Sequence, residues 1–309
     1  MAHHHHHHHH NVKGRNLFIA IVLNVIITLA QLIGGLYAGS LALLSDALHN
    51  FSDVMSLLIS WFAEKISHKS ADVKRTFGYK RAEIIAALFN ASVLVGIGFF
   101  IIYEAIIRFL HPEPIDANWV IALGLLGILV NGGSIILLHQ DAKESMNIKA
   151  AYLHLLGDVL TSVAVVVGGV AMHFWEIGWI DPLISVIIAL YLIVASWGLI
   201  RESIEILMQF APESVDLYAV AEVVKSVSDV ENIHHAHLWR LNDHDLFFEA
   251  HIDLKDNLPL ADVTKKLEEV ERLLKEQFHF THITLQPEYR RCDDKGLVSH
   301  MDRCELGGC

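Results

Sequence analysis

Six stretches of mostly apolar residues, each close to the length of a bilayer-spanning helix, limit what this chain can fold into. They lie near Leu17–Tyr37, Leu41–Ile66, Ala82–Phe109, Val120–Leu138, Ala150–Met172 and Pro182–Ile200. The hydrocarbon layer is about 30 Å thick and an α-helix rises about 1.5 Å per residue, so roughly 20 residues cross it. Inside lipid the backbone polar groups must be satisfied within the segment, which makes each run a helix. Turn signals separate the runs: Ala38-Gly39-Ser40, a basic loop after the second, His111-Pro112-Glu113-Pro114, the stretch around Gln140 to Asn147, and Gly178 to Pro182. The chain is 53% hydrophobic and 19% charged with a mean hydropathy of +0.41, too apolar for an ordinary soluble protein of 309 residues.

Basic residues set the orientation. Lys65, Lys69, Lys74, Arg75, Lys80 and Arg81 crowd the loop between the second and third spans, and Lys143 and Lys149 mark the one between the fourth and fifth. The opposite loops hold Arg108 near a helix end and otherwise Glu113, Asp116, Glu176 and Asp181. Cytoplasmic loops collect Lys and Arg, so six spans place both termini in the cytoplasm. The first run is long enough to remain as a span, and no cleavable leader is expected. Most of the acids behind the net charge of -12 lie in the last hundred residues, which argues against nucleic acid as a partner.

Residues 1–10 are an expression tag, residues 11–211 form the six-helix transport domain, and residues 212–290 form a cytoplasmic domain. In the last, residues 216–230 have helical periodicity, 234–241 and 246–254 read as strands, 260–278 as an amphipathic helix and 281–289 as a third strand. That αββαβ order describes a two-layer α+β domain. The tail at 291–309 carries all three cysteines, Cys292, Cys304 and Cys309, without zinc-knuckle spacing, and part of it reads as a cloning remnant.

Polar residues within the spans carry the chemistry. An Asp near the centre of a spanning helix costs about 2.5 to 3.5 kcal/mol, so each needs a purpose. His49 and Asp53, four apart, share a helix face, and His154 and Asp158 repeat the spacing. Asp46 lies on nearly the same line, where it is either a further member or a residue facing water or capping a neighbour. A single such pair is as well explained by interhelical hydrogen bonding, but two copies of HxxxD in different spans favour convergence. Two imidazoles and two carboxylates suit four-coordinate Zn²⁺, and protonated histidine is not a ligand, so metal would exchange against protons near neutral pH. Asn24, Asn90, Asn131, Glu83 and Glu104 fit packing or interfacial roles better.

The strings GSLALLSDALHNFSD (39–53), FGYKRAEIIAALFNA (77–91), NIKAAYLHLLGDVLTSV (147–163), WIDPLISVIIA (179–189), HLW (237–239) and HITLQPE (282–288) together resemble the cation diffusion facilitators, of the bacterial zinc, cadmium and cobalt exporter kind. The resemblance runs from Asn16 to about Tyr289. It implies a homodimer of six-span protomers in the bacterial inner membrane and a transport site of His49, Asp53, His154 and Asp158. It also implies proton antiport by alternating access and a metallochaperone-like cytoplasmic domain with a metal site at His234, His251 and Glu288. His235, His237, His244, His279 and His282 are nearby alternatives for that second site. Matching FGYKRAE to a loop metal site of some relatives leaves Asp72 but sets Arg75 and Tyr79 where histidines would stand, and Thr264 replaces a second cytoplasmic ligand. Neither extra site is expected, nor is a histidine-rich loop between spans four and five.

The expectation is thus a proton-coupled exporter of divalent metal, chiefly Zn²⁺ with Cd²⁺ or Co²⁺ as further substrates. It has no organic cofactor and no enzymatic activity, and its partners are metal ions, protons, lipid and a second copy of itself. Two other classes would use the same residues. A membrane metal sensor would bind without moving the ion, and an intramembrane metal-dependent hydrolase would need an open zinc position and a general base.

Overall fold

The computed structural model describes residues 9–67, 69–139, 146–175, 177–243, 245–291 and 295–298. Two compact units emerge, one formed by residues 1–62 and 86–200 and the other by 63–85 and 201–309. The six expected spans are helices: α1 (His9–Ala38), α2 (Leu41–Ser67), α3 (Ala82–Leu110), α4 (Ala117–Leu138), α5 (Met146–Trp175) and α6 (Ile180–Leu207). Among the described residues five of them are long and apolar enough to cross a membrane. The sixth, α2, is 27 residues long but carries Asp46, His49, Asn50 and Asp53, which lower its hydropathy.

Within the first unit α4 packs on both α1 and α5. Small residues permit this. A Cβ on Gly127 would stand 2.8 Å from Gln31 Nε2 and 3.0 Å from Ser162 Oγ, so a side chain at this position of α4 would displace groups of α1 and α5 that meet it. Helix ends are fastened by acids. Asp116 caps α4, accepting from Asn118 N at 3.1 Å and Trp119 N at 3.4 Å. Asp181, fully buried at the start of α6, accepts from Ser40 Oγ and from the backbone N–H groups of Leu41 at 2.7 Å and Ala42 at 3.3 Å. It therefore caps α2 from another helix and supplies the physical reason for the acid in WIDPL. Arg108 donates to Gly39 O and lies 3.5 Å from Glu113.

The second unit contains α7 (Leu217–Lys225), β1 (Val230–Arg240), β2 (Leu246–Leu254), α8 (Leu260–Phe278) and β3 (His282–Glu288). The αββαβ order holds, but the first helix is shorter than the periodicity over 216–230 suggests. Ser226 ends it, donating Oγ to Val223 O at 2.6 Å, and Asp229 then adopts a positive φ of 69° before β1 begins. The sheet order is β1-β2-β3, with β1 and β2 antiparallel and β2 and β3 parallel. Val220, Val224, Ile233, Phe248, Ile252 and Leu274 form its core, and Phe248 stacks on Phe280 at 5.1 Å.

The loop between α2 and α3 belongs to this unit. Lys80 pairs with Asp245 at the β1–β2 turn, and Phe77 meets Phe247 edge-on with centroids 5.4 Å apart. Asp72 is engaged by Arg75, whose Nε and Nη2 lie 2.9 and 2.6 Å from one carboxylate oxygen, and this pairing holds the Asp72 carboxyl below the usual carboxylate range. The Arg75 guanidinium in turn sits 4.6 Å over the Tyr79 ring.

Candidate metal centres

The first centre lies in the helical unit. His49 and Asp53, one turn apart on α2, bring Nδ1 and Oδ2 to 3.3 Å, and His49 Nε2 lies 3.9 Å from Asp158 Oδ1 on α5. One ligand atom from each of the three residues falls within 4.8 Å of the others, the spread a single ion could draw together. Asp158 is 1% exposed, whereas His49 and Asp53 are 14% and 24% exposed. The arrangement therefore has a buried wall on α5 and a more open face on α2. His154 lies one turn before Asp158 in α5, and its side chain falls outside the described residues.

Asp46 belongs to a different part of the same seam. Its carboxylate is wholly buried and accepts from Thr161 Oγ1 at 2.6 Å, Gln31 Nε2 at 3.1 Å and Ser162 Oγ at 3.2 Å. Thr161 also donates to the Asp158 carbonyl at 3.0 Å. This acid thus ties α2 to α1 and α5 directly above the ligand face, neither facing water nor joining the three-residue cluster. Sequence patterning missed its partners because Gln31, Thr161 and Ser162 are ordinary polar residues until packing aims them at one carboxylate.

The second centre lies on the sheet. His234 and His251 are cross-strand neighbours on β1 and β2, and Glu288 ends β3. His234 Nε2 lies 3.4 Å from Glu288 Oε2, and His251 Nδ1 lies 3.0 Å from Glu288 Oε1. These three again present ligand atoms within 4.8 Å of one another. His234 is 1% exposed, and neither of its ring nitrogens completes a well-aligned hydrogen bond; Glu288 Oε2 is likewise buried without one. A ring set between two carboxylates is satisfied either as an imidazolium with two N–H donors or, with one N–H, by a cation lying between its lone pair and the second anion. The donor set fits a resident Zn²⁺ on that ground. Burial lowers the His251 pKa, opposed by Glu288, while His235, His234 and Arg291 lower it further, keeping the ring neutral and ligand-ready.

Asp253 is the residue of this centre that the sequence reading missed. Its Oδ2 lies 3.2 Å from His234 Nδ1, and in the parallel pairing it stands opposite Glu288. The available signal was its position two residues after His251, on the same face of β2. Among the described residues the alternatives lie outside the three-residue cluster. His235 stacks on His251 at 4.9 Å and meets His237 at 5.0 Å. His282 packs against Phe247, and His279 is the left-handed cap of α8. His244 and the three cysteines lie outside the described residues, and Thr264 donates to Leu260 O within α8.

A polytopic helical domain with a His/Asp cluster, joined to an α+β domain with a His/Glu cluster, defines a class of membrane metal-handling protein. Residues 17–208 match the cation efflux transmembrane domain and residues 212–290 the cytoplasmic domain of cation efflux proteins. The chain belongs to the cation efflux family, the cation diffusion facilitators. It is 34% identical over 281 residues to the cadmium, cobalt and zinc/H(+)-K(+) antiporter of Bacillus subtilis, covering 89% of this chain and 90% of that protein. It is 33% identical to the metal cation efflux system protein CzcD of Cupriavidus metallidurans, over 93% of this chain and 90% of the relative. Zinc transporter ZitB of Escherichia coli is also 33% identical, over 85% and 84% of the two chains.

Proposed function

We propose that this chain is a homodimeric, proton-coupled exporter of divalent metal from the cytoplasm across the bacterial inner membrane, with Zn²⁺ its chief substrate. The observation that carries this reading is the meeting of His49 and Asp53 on α2 with Asp158 on α5 inside a helical bundle. In the cytoplasm-facing state neutral His49 and His154 with ionised Asp53 and Asp158 take the ion. In the outward state protons compete for the same nitrogens and oxygens and displace it. The two lipid-enclosed carboxylates tolerate burial because the substrate itself supplies positive charge.

The printed name of the Bacillus subtilis relative couples metal to protons and potassium, and those of the other two specify cation efflux and zinc transport. They support antiport and the choice of metal here. The cytoplasmic His234, His251 and Glu288 cluster is the regulatory centre, holding a resident Zn²⁺ that biases the dimer toward a transport-ready arrangement. Such a bias requires that metal bind the two arrangements with different affinity.

Zn²⁺ uptake into inside-out vesicles with an imposed pH gradient tests this function. The native chain should accumulate Zn²⁺, and His154→Ala and Asp158→Ala should not. Tight Zn²⁺ binding with no uptake by the native chain would replace transport with sensing.

A further inference from the structure

We propose that Asp253 is a positioning residue of the cytoplasmic metal centre, latched from its far side by Lys295 of a strap seated on the bulge of β1. The inference rests on reading His234, His251 and Glu288 as a metal centre, and it adds what holds His234 in a ligating pose.

Asp253 is 4% exposed and divides its carboxylate between two neighbours. Oδ2 faces His234 Nδ1 at 3.2 Å, and Oδ1 meets Lys295 Nζ at 2.6 Å. The other nitrogen of the same ring, Nε2, faces the gap shared with Glu288 and His251. The 3.2 Å contact is not yet an aligned hydrogen bond; a cation in that gap would draw the Nε2 lone pair, leave the proton on Nδ1 and set it against the Asp253 carboxylate, which then holds the ring in that tautomer. Asp253 is directed away from the gap by its ion pair with Lys295, so it orients the ligand and is not one itself. Its location opposite Glu288 in the parallel register would set two buried carboxylates side by side. The ammonium of Lys295 offsets one of them and leaves the other to the metal.

The strap has its own backbone logic. The β1–β2 register shifts between His234 and His237, and His235 takes a positive φ of 50°. The bulge turns the N–H groups of His235 and Ala236 out of the ladder with β2, and buried backbone donors require acceptors. Gly296 O and Leu297 O accept them at 3.3 and 2.9 Å, and Asn232 Nδ2 donates to Lys295 O at 3.3 Å. Leu297 packs against the core of the domain. The irregularity that brings His234 to the metal gap thus also creates the seat for the segment that carries its latch.

The test uses the full chain without residues 1–10, its cysteines alkylated, carrying Asp53→Ala and Asp158→Ala to weaken the membrane centre. Zn²⁺ affinity is read by competition with a chromophoric chelator. Asp253→Asn should weaken binding about 10- to 100-fold while thermal unfolding without zinc stays at the parent's midpoint. Lys295→Gln should weaken it less and speed amide exchange at His235 and Ala236, whereas Lys295→Arg should retain the parent's affinity. Parent-like affinity in Asp253→Asn, with the parent binding tightly, overturns the inference. A parent that binds no Zn²⁺ overturns the metal-centre reading and this inference with it. Should Asp253→Asn fail to fold, Lys295→Gln decides, since Lys295 is 41% exposed; unchanged affinity and exchange there overturn the inference.

Discussion

Replacing Asp158 by Asn tests the membrane centre most sharply, because it removes one charge and almost no volume. The Asp158 carboxylate is 1% exposed and stands 3.9 Å from His49 Nε2, so an ion held by both residues lies within a few ångströms of it. Two unit charges about 4 Å apart interact by about 4 kcal/mol at an effective dielectric of 20, and a divalent ion doubles this to about 8 kcal/mol. At about 1.4 kcal/mol per decade even the single-charge figure corresponds to a loss of about a thousandfold in Zn²⁺ affinity, the least the substitution should cost. Stability should not follow. An amide of the same shape replaces the buried carboxyl with no charge to desolvate, so the unfolding midpoint without metal should hold or rise. The assays are Zn²⁺ binding and pH-driven uptake, with thermal unfolding in detergent alongside. Uptake at the native rate with an affinity within about tenfold of native would refute the reasoning that Asp158 holds the ion.

Asp46→Ala should cost several kcal/mol of stability, because Ser162 and Gln31 lose their acceptor in a buried seam, each stranded donor costing about 1 to 3 kcal/mol, while Thr161 keeps the Asp158 carbonyl; Asp46→Asn, with one acceptor oxygen left, should recover part of it in the same unfolding measurement. Asp181→Ala should speed amide exchange at Leu41 and Ala42, whose N–H groups it caps, at a cost of about 0.5 to 2 kcal/mol to the start of α2. The lowered pKa of His251 means that, between about pH 6.5 and its lower folded value, the unfolded chain binds more protons than the folded one. Its contribution is therefore full above about pH 6.5 and lost as the pH falls through the folded value; unfolding of the zinc-free chain from pH 8 to 5 should show this dependence, and His251→Ala should flatten it.

Much of this molecule is local in origin and so was legible in its residues. Spans follow from runs of apolar side chains, and the pairing of His49 with Asp53 follows from the helical repeat, which places residues four apart on one face wherever the helix goes. The shared face of His251 and Asp253 on β2 is equally local, but a single acid two residues beyond a histidine is too common to single out. What packing alone decided was which faces meet. Asp158 reaches His49 because α5 lies against α2, Asp46 is buried because Gln31, Thr161 and Ser162 converge on it, and Asp253 gains meaning from Glu288, His234 and Lys295, which approach it from three other segments. The bulge in β1 breaks the alternation that the sequence would assign to His234 and His235, and the early end of α7 depends on Ser226 and the turn at Asp229. Periodicity is written along the chain, whereas distances between segments arise only when their surfaces are pressed together.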